Sequence, residues 1–219
     1  MDVVYYSRPH ILAIDIDKTA SELRNVGGSI NNYNMAIDPI EKIVSGYQRL
    51  VDLEKFWDTH KNEKWRPHLK EVGRRIFEIF GGEVSKWYPT GRKPIESVAG
   101  LSIKPAIRGV RVANGRVLPC LINPRSSLLL ERNSALPFIA RGVFELHVRD
   151  EIGPVSPMIV DLGKENGVRA NRIYFPTQES MISVEHFEDC MRKFNKALVK
   201  AGLVSEQPSR ASDLFRMRQ

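Results

Sequence analysis

Cysteine is scarce in these 219 residues: only Cys120 and Cys190 occur, far apart and in no metal-type spacing. That excludes a paired-cysteine zinc module and points to a reducing, cytoplasmic setting. Long apolar runs are missing too, since none approaches the roughly 18–20 residues that a membrane-crossing helix needs. The opening stretch "MDVVYYSRPHILAIDIDK" meets an acid at its second residue, so it offers no basic lead, apolar core and cleavage site in order. There is no Asn-x-Ser/Thr acceptor, repeat or low-complexity tract. "VGGSI" lacks the Lys-Ser/Thr of a phosphate-cradling loop, and the five histidines form no metalloprotease pattern. Nucleotide-cofactor enzymes and the common hydrolases thus find no support.

Charge is plentiful and arranged in blocks. The formal net charge is +7. Residues 61–93 hold 9 bases and 4 acids, and residues 104–149 hold 8 bases and 2 acids. Residues 150–190 reverse this, with 3 bases and 8 acids. Such blocks predict a basic side and an acidic side, and the basic side suits a polyanion.

Periodicity predicts an α+β fold: a mixed or antiparallel sheet with a central hairpin, two helices in the first half and a long helix at the end. "DVVYY" and "HILAIDI" read as strands. A first helix is predicted from Asp38, with Pro39 in its first turn and a stripe of Ile40, Ile43, Val44, Tyr47, Leu50 and Val51, fading near Trp57. A second runs through "RPHLKEVGRRIFEIF" to Gly81-Gly82, burying Trp65, Leu69, Val72, Ile76, Ile79 and Phe80. "SKWYPTGRKP" reads as an irregular loop. Asn114-Gly115 in "AIRGVRVANGRVLPCLI" predicts a tight hairpin in which Ala113 faces Arg116 and Arg111 faces Leu118. "SSLLLERN" is a further strand candidate, and "SALPFIARGVFELHVR" reads as a helix. "SPMIVDL" and "NRIYF" read as strands around the turn-rich "GKENGVRA". The last helix carries Val184, Phe187, Met191, Phe194, Leu198 and Ala201, with acids early and bases late, as the helix dipole favours. One domain over 1–204 follows, with a sub-boundary near 85–103 and a basic tail over 205–219.

Two constellations carry chemistry. Arg66, Lys70 and Arg74 recur every fourth residue, so they share a helix face and repel unless an anion intervenes, although Glu71 and Glu78 are within reach of Arg74 and Arg75. "KWRPHLK" and "SKWYPTGRKP" set Trp65, Trp87 and Tyr88 among Lys86, Arg92 and Lys93, the mixture that single-stranded nucleic acids use. Arg111 and Arg116 on one face of the hairpin add a basic ribbon.

The second constellation is Asp15-Ile16-Asp17. On a strand, alternate side chains share a face, so an Asp-x-Asp step can hold Mg2+. "AIDIDKT" is similar to the first motif of haloacid-dehalogenase-type phosphatases, which would imply Asp15 as nucleophile, Asp17 as acid/base and a role for Thr19 on a parallel sheet. "LAIDID" is also similar to the first motif of archaeo-eukaryotic primases, which would be followed by "ELHV" (His147) and "MIVDL" (Asp161). Asp161 with Lys164 additionally approximates a nuclease Asp/Glu-x-Lys step, one residue too long.

The reading that follows is a non-catalytic nucleic-acid-binding or complex-forming accessory protein that needs no cofactor. Its contact residues are Arg66, Lys70, Arg74, Lys86, Trp87, Arg92, Lys93, Arg111 and Arg116, and its partner is RNA, DNA or a protein complex, with no membrane. The alternative is a Mg2+-dependent phosphoryl-transfer, nucleotidyl-transfer or nuclease-type enzyme using Asp15, Asp17 and Asp161.

Overall fold

The computed structural model describes residues 14–24, 33–90, 96–98, 101–103, 107–124, 136–147 and 157–203. "DVVYY", "SSLLLERN", Arg92, Lys93 and the 205–219 tail lie outside them. Among the described residues no helix is long and apolar enough to cross a membrane.

A five-stranded mixed sheet organises the molecule. It contains β1 (Lys86–Pro89), β4 (Gly109–Ala113), β5 (Arg116–Asn123), β6 (Met158–Asp161) and β9 (Arg172–Tyr174). They lie side by side in chain order, all neighbours antiparallel except the parallel pair β5 and β6. Between β5 and β6 the chain passes through α6 (Leu136–His147), because parallel neighbours need a crossover. Two small hairpins pair β2 (Glu96–Val98) with β3 (Leu101–Ile103), and β7 (Lys164–Glu165) with β8 (Val168–Arg169).

The hairpin has the register that Asn114-Gly115 predicts, with Ala113 opposite Arg116 and Arg111 opposite Leu118. Both turn residues take positive φ, 50° and 71°. This mirror-image turn twists with the strands, which fixes the register.

Side chains alternate across the sheet and bury both faces. Leu118, Cys120 and Ile122 of β5 and Met158 and Val160 of β6 join one apolar cluster, with Leu69, Val72, Ile76 and Phe80 of α5 (Arg66–Phe80). Leu121 and Ile159 point the other way, into a cluster with Phe138 and Ile139 of α6 and Phe187, Met191, Phe194 and Leu198 of α7 (Val184–Lys200). Helices thus cover both faces of a central sheet. The spans of α5 and α7 match their apolar stripes, and Ser183 caps α7 by accepting from the His186 amide at 3.2 Å.

Three local expectations give way. "HILAIDI" does not continue as a strand: from Ile16 the chain is helical, as α1 (Ile16–Arg24). Asp15 caps that helix by accepting from the Lys18 amide at 3.0 Å, a use of aspartate that strand alternation does not consider. The single helix expected from Asp38 is two pieces, α3 (Ile40–Val44) and α4 (Leu50–Asp58), and a further short helix, α2 (Asn34–Ile37), precedes them. α3 stops where Gly46, at φ +73°, lets the Gly46 and Tyr47 amides turn back onto the Ile43 and Lys42 carbonyls. Finally, "KWYP" is not loop but strand β1, in antiparallel register with β4.

Candidate interaction surface

α5 is the element on which the predicted basic surface rests. Its apolar stripe packs under the sheet, so Arg66, Lys70, Arg74 and Arg75 are turned away from the core. Each of them meets a carboxylate. Arg66 pairs with Glu63 at 3.0 Å and also donates to the His60 carbonyl. Lys70 reaches Asp58 at 2.8 Å, Arg74 reaches Glu54 at 2.6 Å, and Arg75 reaches Glu78 at 2.8 Å. Asp58 and Glu54 belong to α4, so two of the four α5 cations take their carboxylates from the neighbouring helix. The expected Glu71–Arg74 pairing does not form. Glu71 turns to the β7–β8 hairpin, where it holds Lys164 at 3.0 Å and Arg169 at 3.1 Å.

Along this face runs a groove of about 600 Å³ whose walls include Asp58, Glu63, Glu71 and Glu78 against Arg66, Lys70, Arg74 and Arg75. Four acids stand against four bases, so the groove carries no net charge. A polyanion gains from a field of one sign, and here the field alternates over single residues.

The remaining predicted contacts disperse. Trp87 is 7% exposed, packed edge-on to Phe80 with ring centroids 6.0 Å apart, so it is core and cannot stack on a base. Arg111 and Arg116 share a face of the hairpin as expected, but that face looks inward. Arg111 is equally buried, donating to Ser85 Oγ at 2.9 Å and Glu83 at 3.2 Å, with its guanidinium 5.5 Å from the Phe80 ring centre. Alternation hid this, because it tells which residues share a face and not which face is covered. Arg116 is exposed at the start of β5, over the Phe175 ring. Lys86 and Tyr88 point opposite to Trp87, and Tyr88 is 54% exposed.

The acids of the alternative reading are also apart. Asp17 lies on α1 and takes the ammonium of Lys200 from α7. Asp161 is fully buried at the end of β6, where one carboxylate oxygen accepts from Asn123 at 2.7 Å and the Gly163 amide at 3.0 Å. Lys164 turns instead to Glu71 on α5. Asp15 at the N-cap and Asp17 in the first turn of α1 do not share the strand face that a metal pair was expected to use. Among the described residues no group of three or more His, Cys, Asp or Glu is placed to hold a metal ion. Burial pushes the Cys120 thiol up to about 12, far from a reactive thiolate.

Arg169 is a central residue that the sequence did not mark. Its side chain is 1% exposed. It donates to the Leu162 and Pro124 carbonyls at 2.7 and 2.8 Å, lies 5.6 Å from the Tyr33 ring centre and pairs with Glu71. It therefore ties the ends of β5 and β6 to α5 and to the start of α2. Burial pushes the Glu71 carboxyl up, but hydrogen bonds and charge from Lys164 and Arg169 outweigh that and hold it below the usual value. Its only local signal is Asn166-Gly167, which forms the turn that brings Lys164 and Arg169 opposite each other.

Compared with models of known protein families, with curated proteins and with solved structures, the chain matches none of them.

Proposed function

We propose that the chain is a non-catalytic accessory protein that joins a complex with another protein through the α5 groove. The observation that carries this reading is the groove's lining, four carboxylates interleaved with four cations. Ion pairs at such half-exposed positions contribute about 0–1 kcal/mol each. A partner with charges of both signs can therefore replace them at little cost. Alternating signs also fix the register of such a partner and reject wrong ones through like-charge contacts. A polyanion has no comparable complement there.

A second reading, single-stranded nucleic acid at the β1 end of the sheet, has one observation in its favour. Lys86 and the exposed Tyr88 share a face, and no described carboxylate pairs with Lys86. An exposed aromatic beside a base contributes about 1–3 kcal/mol per stacked nucleotide.

One set of variants tests both. The chain, its Lys70→Glu/Arg74→Glu form and its Lys86→Ala/Tyr88→Ala form are used for quantitative affinity capture from the cells that make it. The same three are titrated with single-stranded and duplex RNA and DNA at two salt concentrations. The complex reading expects a discrete protein partner lost only on α5 charge reversal. Nucleic-acid binding that falls steeply with salt and disappears with Lys86 and Tyr88 selects the second reading. Capture that charge reversal leaves unchanged removes the groove from consideration.

A further inference from the structure

The charges of the α5 groove are ordered as well as balanced. They stand in rows parallel to the α5 axis, and the rows alternate in sign. Glu54 and Asp58 form the row on α4. Beside it come Arg66, Lys70 and Arg74, of which Lys70 and Arg74 meet those two carboxylates. At 3.6 residues per turn Glu71 and Glu78 lie further round the helix. They face the β7–β8 side, where Glu71 holds Lys164 and Glu78 accepts from Asn171 at 2.7 Å. The last row is cationic again, with Arg75 beside Glu78 and Lys164 beside Glu71. Across the face the signs therefore read minus, plus, minus, plus. Arg74 and Glu78, in the two central rows, are half-exposed, so both can meet a second surface.

An even number of alternating rows has a property that an odd number lacks. Placed face to face with itself about a two-fold axis parallel to the rows, the pattern is reversed, and every row meets one of opposite sign. An odd number would set the middle row against its own copy, and a two-fold axis across the rows would set like on like. An isologous interface demands this kind of self-complementarity. A different protein would have to carry the same four rows in reverse. A second copy carries them already.

We propose that the occupant of the groove is a second copy of this chain, docked about a two-fold axis parallel to α5. This rests on the reading of the groove as a protein-docking face and names what docks there. In the pair the two α5 helices run parallel, with Lys70 and Arg74 of each copy against Glu71 and Glu78 of the other. Ion pairs within each copy are exchanged for pairs between copies, each contributing little at such exposure. The dimer is therefore weak and concentration-dependent, and its selectivity lies in the pattern of signs.

Sedimentation equilibrium of the purified full chain tests this, with a reversible monomer–dimer equilibrium expected. Arg74→Glu and Glu78→Lys each place like charges together in the pair, and each should weaken it by about tenfold. Mixing the two variants should restore dimerisation. In the mixed pair the new glutamate meets the new lysine, and the native Arg74 of one copy meets the native Glu78 of the other. Recovery on mixing also shows that both variants are folded. A wild-type chain that stays monomeric up to about 1 mM would overturn the proposal. So would a dimer that neither substitution weakens, or variants that remain monomeric when mixed. If a different protein is nevertheless captured, and lost on α5 charge reversal, self-pairing fails while the docking face stands.

Discussion

Helices α5 and α7 are both amphipathic and both rich in charge, yet they satisfy that charge in different ways. The middle turns of α7 are self-sufficient: Lys193 pairs with Asp189 at 2.7 Å, and Arg192 lies near Glu188 and Asp189 at 3.8 and 3.9 Å, whereas Lys200 at its end reaches Asp17 of α1. α5 borrows. Arg74 and Lys70 take their carboxylates from α4, 20 and 12 residues earlier in the chain, and Glu71 gives its own to a hairpin near residue 165. A row of cations is thus no measure of a basic surface until its neighbours in space are known. On α7 these neighbours are also neighbours in sequence. On α5 they are not.

That contrast can be broken hardest where α4 and α5 touch. A Cβ on Gly73 would lie 2.0 Å from the Trp57 ring, which is itself fully buried and bonded to the Met35 carbonyl. Gly73→Ala should therefore cost about 3 kcal/mol or more, the upper end of overpacking, and separate the cross-helix ion pairs. Urea denaturation measures it.

Glu71→Gln comes next. It leaves the buried Arg169 guanidinium without its carboxylate, at about 1–3 kcal/mol near neutral pH. Because the folded carboxyl titrates below its usual 4.5, its contribution is present above that value and lost as pH falls through the lower folded value. The gap between wild-type and variant unfolding midpoints should close over that acid range. A gap that persists to the lowest pH would assign the loss to shape and not to charge.

Smaller in stability, but sharper for the comparison, is Glu54→Gln with Asp58→Asn. It should change stability by only about 0–1 kcal/mol. It also frees Lys70 and Arg74, so duplex DNA binding with a log–log salt slope of about −2 should appear in the variant beyond that of the wild type. Equal binding by both proteins would mean that the α4 acids do not mask α5. The smallest effect belongs to Asp189→Asn on the outer face of α7, where the thermal midpoint should stay within measurement error.

The sequence carried much of the scaffold. The start of α7 follows from Ser183 before Val184, while α5 does stop before Gly81, which however stays in the right-handed region at φ −84° and not in the left-handed geometry expected of it. The β4–β5 register follows from two residues, Asn114 and Gly115. Where local chemistry had a competitor, it misled. "ILAIDID" alternates like a strand, but Asp15 is also an N-cap, and the cap is what forms. "KWYP" contains a proline and sits among turn residues, yet pairing with β4 makes it a strand, and the proline is tolerated at its end on an edge.

The candidate surface was less legible than the scaffold. Arg66, Lys70 and Arg74 do share an outward face, because that depends only on helical spacing. Whether Trp87 and Arg111 look outward depends on which side of the sheet α5 covers, and nothing within their own strands encodes that. Arg169 becomes a hub only because the β7–β8 turn, α5 and Tyr33 converge on it.

By itself, then, the sequence determined what is local: helix ends, the hairpin turn, which residues share a face and the sum of the charges. These depend on dihedral preferences and on neighbours within a turn or a strand pair. Only the tertiary structure decided which face of the hairpin is dry and which carboxylates Lys70 and Arg74 meet. Burial and long-range ion pairing are properties of surfaces brought together from distant parts of the chain, and no window of the sequence contains both partners.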